Sequence, residues 1–142
     1  MTTPEKIIYT AEMTSTAGRQ GTSNRPDGSF PLALTVPKEL GGPGGEGTNP
    51  EELFAAGYSA CFIGALKLVG RQKKVSLPDD LKVTARVGMG PVPTGYGLTV
   101  ELIIHLPGVE PALAQEIVDG AHQRCPYSNA TRGNIDVTLT LV

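Results

Sequence analysis

Residues 49–74 read NPEELFAAGYSACFIGALKLVGRQKK, and the fold follows from how this stretch must be housed. Asn49 is an N-cap residue, Pro50 suits the first helical position, and Glu51 and Glu52 place negative charge at the positive end of a helix dipole. A helix from Pro50 to about Lys74 would be roughly 36 Å long at ~1.5 Å per residue. Between Leu53 and Leu66 it carries no charge on any face, which predicts burial nearly all round. A chain of 142 residues has little material to enclose so long a helix. Ala56, Ala60 and Gly64 recur at four-residue spacing and let a second backbone come close, so the expected arrangement is a homodimer with this helix at its centre.

Upstream, Lys6–Met13 (KIIYTAEM) reads as a strand, Thr14–Gly28 as a turn or irregular ribbon, and Phe30–Val36 as a second strand. Gly41–Gly47 (GGPGGEG) holds five glycines and a proline and is read as a loop. Downstream, Leu81, Val83, Ala85 and Val87 alternate with polar residues, and Leu98, Val100, Leu102 and Ile104 continue that period of two after PVPTG, which predicts an antiparallel hairpin with one wet face. Glu110–Gln123 is a second helix, stopped near Cys125-Pro126, and Ile135, Val137, Leu139 and Leu141 mark a closing strand. Strands broken by helices without strict βαβ alternation indicate a single α+β domain over residues 1–142, with antiparallel sheets around the buried helix.

Twelve Lys and Arg against 14 Asp and Glu give a net charge of -2, which supplies no electrostatic reason to seek nucleic acid or anionic lipid. The N-terminal residues are polar, and the charge-free run of the central helix is shorter than a membrane span, so the expectation is a soluble, cytoplasmic protein. In a reducing compartment, Cys61 and Cys125 are more reasonably a transient redox pair than a structural disulfide.

Cys61 sits rigidly in a helix, whereas Pro126 leaves Cys125 on a turn that can move, an arrangement suited to a nucleophile and its resolving partner. Burial in an apolar helix raises a thiol pKa, so an active Cys61 needs a cation. Arg19, flanked by Gly18 and Gly21 in an uncharged stretch, is the one singled out. Gly42, Gly44 and Gly47 satisfy G-x-G-x-x-G, yet the next acid after Glu52 is Asp79, so a nicotinamide site is not expected. His105 and His122 have no zinc-ligand spacing and are read as ordinary histidines, and the RQKK run at 71–74 as a solvated helix end.

GTNPEELFAAGYSACF (47–62), CPYSNATRGNIDV (125–137) and YTAEMTSTAGRQG (9–21) resemble the organic hydroperoxide resistance proteins, the Ohr branch of the Ohr/OsmC superfamily of bacterial thiol peroxidases. The resemblance extends over almost the whole chain and implies an OsmC-like fold in an intertwined homodimer. It implies that Cys61 is the peroxidatic thiol, Cys125 the resolving thiol, Arg19 the activating cation and Glu51 its carboxylate partner. Ala17, Gln20 and Glu52 stand where a glycine, an acid and a glutamine are common in the family. Tyr127 and the Gly41–Gly47 loop favour the Ohr branch over its OsmC sister.

The implied activity is reduction of organic hydroperoxides to alcohols, through a Cys61 sulfenic acid and a Cys61–Cys125 disulfide, with dihydrolipoamide or a lipoylated protein as reductant and no bound cofactor or metal. Leu40, Phe54, Tyr58 and Phe62 offer apolar surface for an alkyl tail. Ten residues separate Glu51 from Cys61, ~15 Å along one helix, so a Glu51 acting at Cys61 would come from the partner subunit. The alternative is a noncatalytic dimeric lipid-binding or redox-sensing stress protein whose thiols oxidise once without cycling, or a peroxidase of the OsmC branch.

Overall fold

The computed structural model describes residues 1–142, and the helix read from 49–74 is present as α1 (Pro50–Gln72). Asn49 caps it: its Oδ1 accepts from the Glu52 backbone N–H at 2.8 Å, and its Nδ2 donates to the Glu52 carboxylate at 3.1 Å. The helix stops two residues before the expected end. Lys74 adopts a left-handed φ of 58°, and the Val75 N–H returns to the Gly70 carbonyl while that of Lys74 returns to Arg71. This paired reversal satisfies two of the last carbonyls and turns the chain out of the helix.

The chain divides into two compact units, Met1–Leu53 and Phe54–Val142, with the boundary in the first turn of α1. In the first unit, β1 (Thr14–Thr16), β2 (Thr22–Asn24) and β3 (Leu32–Ala33) form a short antiparallel meander. Strand pairing therefore falls in the stretch read as an irregular ribbon. Side-chain bonds between Ser15 and Ser23 and between Thr16 and Thr22 tie its rungs, a pairing that hydroxyl side chains supply without apolar alternation. The expected Phe30–Val36 strand is cut to two residues plus a bridge from Leu34 to Thr48. Lys6–Met13 has no strand partner in the chain, and Ile7, Ile8 and Tyr9 lie exposed there. Gly41–Gly47 is a loop, anchored where the Gly44 N–H reaches Val36 and Thr35 Oγ1 donates to the Gly44 carbonyl.

The second unit holds the core. Strands β4 (Lys82–Val92) and β5 (Gly95–His105) form the expected hairpin, running into PVPTG up to a two-residue turn. Next come α2 (Pro111–Arg124), α3 (Pro126–Thr131) and β6 (Val137–Leu141). Both Glu110 carboxylate oxygens accept from the first amides of α2, and Pro111 occupies its first turn. Strand β6 lies beside β5 and parallel to it, not antiparallel, because the two intervening helices carry the chain back to the end from which β5 started. Tyr58, Phe62, Leu66 and Val69 of α1 meet Val100, Leu102 and Ile104 of β5 and Ala114, Ile117, Val118 and Ala121 of α2. These spacings, three and four in the helices and two in the strand, are the periods that put one face of each element inside.

Burial of α1 is one-sided. Leu53, Ala56, Ala60, Gly64 and Leu68 are exposed along one face of the helix. In length and composition α1 would also suffice to cross a membrane, since it continues past the charge-free run through Lys67.

Candidate functional site

Cys61 lies at mid-helix in α1, half-buried, and Cys125 is fully buried at the joint between α2 and α3. That joint is tightly held rather than a loose turn. The Cys125 N–H closes on the Ala121 carbonyl at 2.8 Å, and its carbonyl accepts from the Asn129 N–H at 2.9 Å, so one residue ends a helix and starts the next. Pro126 breaks α2 as expected, but it also suits the first turn of α3, a helix that periodicity over six residues does not reveal. The two thiols are free, and Cys125 Sγ stands 3.6 Å from Cys61 Sγ.

Burial pushes the Cys61 thiol above its ordinary range, the Tyr127 backbone amide draws it back down by favouring the thiolate, and the Cys125 thiol raises it again. None of these groups is a cation.

Arg19 lies in the 3-10 turn Gly18–Gln20 at the tip of the β1–β2 hairpin. Ala17 and Gly18 both hold left-handed φ angles, 56° and 57°, which accounts physically for glycine suiting position 17. At Gly21 a Cβ would lie 1.8 Å from the Thr16 carbonyl oxygen, so only glycine lets the hairpin close. Arg19 meets Glu51 by a fork: Nη1 donates to Oε2 at 2.8 Å and Nη2 to Oε1 at 2.7 Å. The guanidinium holds the Glu51 carboxyl below the usual carboxylate range, and Glu51 raises Arg19 in turn.

Phe54, Tyr58 and Tyr127 form an aromatic cluster with ring centroids 5.5 to 6.2 Å apart. Gly57 makes room for it: a Cβ there would fall 2.5 Å from the Tyr127 hydroxyl. Phe54 and Tyr127, with Tyr96, Leu98, Thr131 and Ile135, line a largely apolar cavity of about 530 Å³ beside the Cys125 turn. Of the four residues expected to contact an alkyl tail, Phe54 lines this cavity. Tyr58 and Phe62 do not, because both are fully buried in the core and have no surface left to offer. Leu40 is exposed at the end of a 3-10 turn in the first unit. Tyr96, Thr131 and Gly57 were missed in the sequence, since nothing local marks a strand-end tyrosine or a helical glycine as facing one distant turn. His122, set aside as ordinary, bonds through Nδ1 to Ser128 Oγ at 2.9 Å. No group of three or more His, Cys, Asp or Glu is placed to hold a metal.

The chain belongs to the Ohr/OsmC family: the family model described as OsmC-like protein matches residues 42–140. Within it, the chain is similar to the organic hydroperoxide resistance proteins. It is 57% identical over 141 residues to the organic hydroperoxide resistance protein of Xanthomonas axonopodis pv. citri, covering 99% of each chain and so including the Arg19 hairpin outside the family-model match. Among solved structures, an organic hydroperoxide resistance protein of Elizabethkingia anophelis superposes with a TM-score of 0.89 at 48% identity, covering 96% of this chain and 97% of that one. The organic hydroperoxide resistance protein OsmC of Legionella pneumophila gives 0.90 at 44%, covering 96% and 98%. The α+β, OsmC-like fold expected from the sequence is thus shared with these structures.

Proposed function

We propose that this chain is a cysteine-based peroxidase of the cytoplasm that reduces organic hydroperoxides to alcohols, its two units working as one domain in a homodimer. The observation that carries the reading is the 3.6 Å approach of two free thiols 64 positions apart. Cys61 as thiolate attacks the distal peroxide oxygen. The O–O bond breaks, the alkoxide takes a proton and leaves as alcohol, and Cys61 becomes a sulfenic acid. Cys125 attacks that sulfur, the S–O bond breaks, and water leaves as the disulfide forms. A dithiol such as dihydrolipoamide then reduces the disulfide by exchange. Phe54 and the apolar cavity accept the alkyl group. The apolar lining favours an organic hydroperoxide, which has a tail to bury, over hydrogen peroxide, which has none.

Arg19 supplies the cation that Cys61 needs, and Glu51 holds its guanidinium ready by the bidentate pair. With ten residues of α1, ~15 Å, between Glu51 and Cys61, we assign the pair to the partner's thiol, through two central helices running in opposite directions. The uncharged exposed face of α1 and the exposed apolar arm at Ile7–Tyr9 support such a dimer, since both are surfaces that a second copy would cover.

Reduced protein is mixed rapidly with cumene hydroperoxide and, separately, with hydrogen peroxide, followed by thiol counting and recycling with dihydrolipoamide. Fast loss of both thiols with the organic peroxide and recovery by the dithiol is the expected result. Equal sluggishness toward both peroxides would refute the reading. Mixed dimers of Arg19→Ala and Cys61→Ser chains test the shared site: they should recover one working site, and inactive mixtures would place both groups in one chain.

A further inference from the structure

Four side chains around the Cys125 turn form a buried hydrogen-bond chain that the peroxidase chemistry above does not use. His122 Nδ1 lies 2.9 Å from Ser128 Oγ, Ser128 Oγ lies 2.9 Å from Tyr58 Oη, and Tyr58 Oη lies 3.2 Å from Thr131 Oγ1. Thr131 Oγ1 lies 3.2 Å from the Ser128 carbonyl oxygen. Tyr58 and Ser128 are wholly buried and Thr131 nearly so.

Counting protons fixes the direction of every bond. A carbonyl only accepts, so Thr131 spends its one hydroxyl proton on the Ser128 carbonyl. Tyr58 must then donate to Thr131, and having one proton, it accepts from Ser128. Ser128 has now spent its own proton, so His122 donates to it through Nδ1–H. The chain runs one way, from His122 through Ser128 and Tyr58 to Thr131, and it demands a proton on His122 Nδ1, which in a neutral imidazole is the less common tautomer.

Its placement matches that of the thiols. Tyr58 precedes Cys61 by three residues on α1, and Ser128 follows Cys125 by three on the turn and α3. The Tyr58–Ser128 bond and the Cys61–Cys125 contact are therefore two adjacent ties between the same pair of elements, about one helical turn apart. Arg132 closes the far side, donating to the His122 carbonyl and, at 2.7 Å, to Asn129 Oδ1.

We propose that His122, Ser128, Tyr58 and Thr131 are positioning residues for the resolving step, a directional hydrogen-bond chain that pins the Cys125 turn against α1 and holds Cys125 Sγ in line with Cys61. The inference rests on the peroxidase reading: the chain acts on condensation of the Cys61 sulfenic acid with Cys125, whose products are the disulfide and water, and leaves attack on peroxide alone.

The test separates the two steps. Wild type and Ser128→Ala are mixed with cumene hydroperoxide; sulfenic acid is trapped with dimedone and disulfide is followed by mass spectrometry. Sulfenic acid should form within twofold of the wild-type rate in Ser128→Ala, while disulfide forms at least tenfold more slowly and the sulfenic species accumulates. Disulfide forming at the wild-type rate, or both steps slowing together, would overturn the positioning role. A wild type that forms no sulfenic acid would overturn the peroxidase reading and the positioning role with it. Should Ser128→Ala not fold, nitrogen-15 NMR of wild type decides: a pyrrole-type Nδ1–H on neutral His122 supports the chain, and an Nε2–H tautomer overturns it.

Discussion

Cys125 Sγ donates to Cys61 Sγ across 3.6 Å, and no disulfide joins the two residues. Closing a disulfide of ~2.05 Å asks for about 1.5 Å of approach, within reach of a small shift of the α2–α3 joint. Cys61→Ser should lose all turnover. Cys125→Ser should consume one equivalent of peroxide and then overoxidise at Cys61, read as sulfinic and sulfonic mass additions. A Cys125→Ser protein that cycles normally with a dithiol would refute the resolving role.

Arg19 meets Glu51 with both nitrogens of its fork, a geometry that an ammonium does not reproduce. Arg19→Ala should lower kcat/KM by about 10²–10³-fold, the usual cost of one stabilising donor. Arg19→Lys should recover little of that loss. Thermal stability should hardly move, because a partly exposed ion pair contributes only about 0–1 kcal/mol. A melting temperature that falls in step with activity would mean that the pair serves the fold.

His122 and Glu51 both contribute to the acid side of the stability curve. Burial and the Arg132 charge hold His122 below its ordinary range, against a smaller opposing pull from Asp119. Arg19 lowers Glu51. Both folded pKa values are depressed, so the unfolded chain binds more protons and stability falls as the solution is acidified. The His122 contribution should begin to go below about pH 6.5 and that of Glu51 below about 4.5. Urea melts across pH 4 to 8 check this, with His122→Gln expected to flatten the upper part and Glu51→Gln the lower.

Gly57 and Tyr127 share one space, the missing Cβ of the first lying 2.5 Å from the hydroxyl of the second. Gly57→Ala should therefore destabilise by about 1–3 kcal/mol through overpacking, despite the better helix propensity of alanine. Adding Tyr127→Phe removes the clashing oxygen and should restore part of that loss. Additive effects in chemical denaturation would show that the two residues do not meet.

Ala60 is exposed on the uncharged face of α1. Ala60→Glu should leave the fold intact and convert a dimer to monomers in sedimentation velocity, with loss of peroxidase activity. An active dimer carrying this charge would move the interface elsewhere.

Local rules sufficed for much of this molecule. Asn49-Pro50-Glu51-Glu52 declared a helix start because caps, fixed φ and dipole charges act within one turn, and alternation over 81–104 declared a hairpin because its period of two spans both strands. Those rules failed where pairing was carried by serine and threonine, as in β1 and β2, and where an apolar segment such as Lys6–Met13 has no partner within its own chain. Cys61, Cys125, Arg19 and Glu51 could be singled out by residue type and local context. That Arg19 forks onto Glu51, that the thiols stand 3.6 Å apart, and that Tyr58 belongs to the core and to the His122–Ser128 chain were decided only when α2 and α3 folded back onto α1 and the hairpin closed over Gly21. The reason is physical: periodicity and capping report forces that act over a few residues, whereas a contact across 64 or 70 positions exists only once the packed core has chosen which helix faces meet.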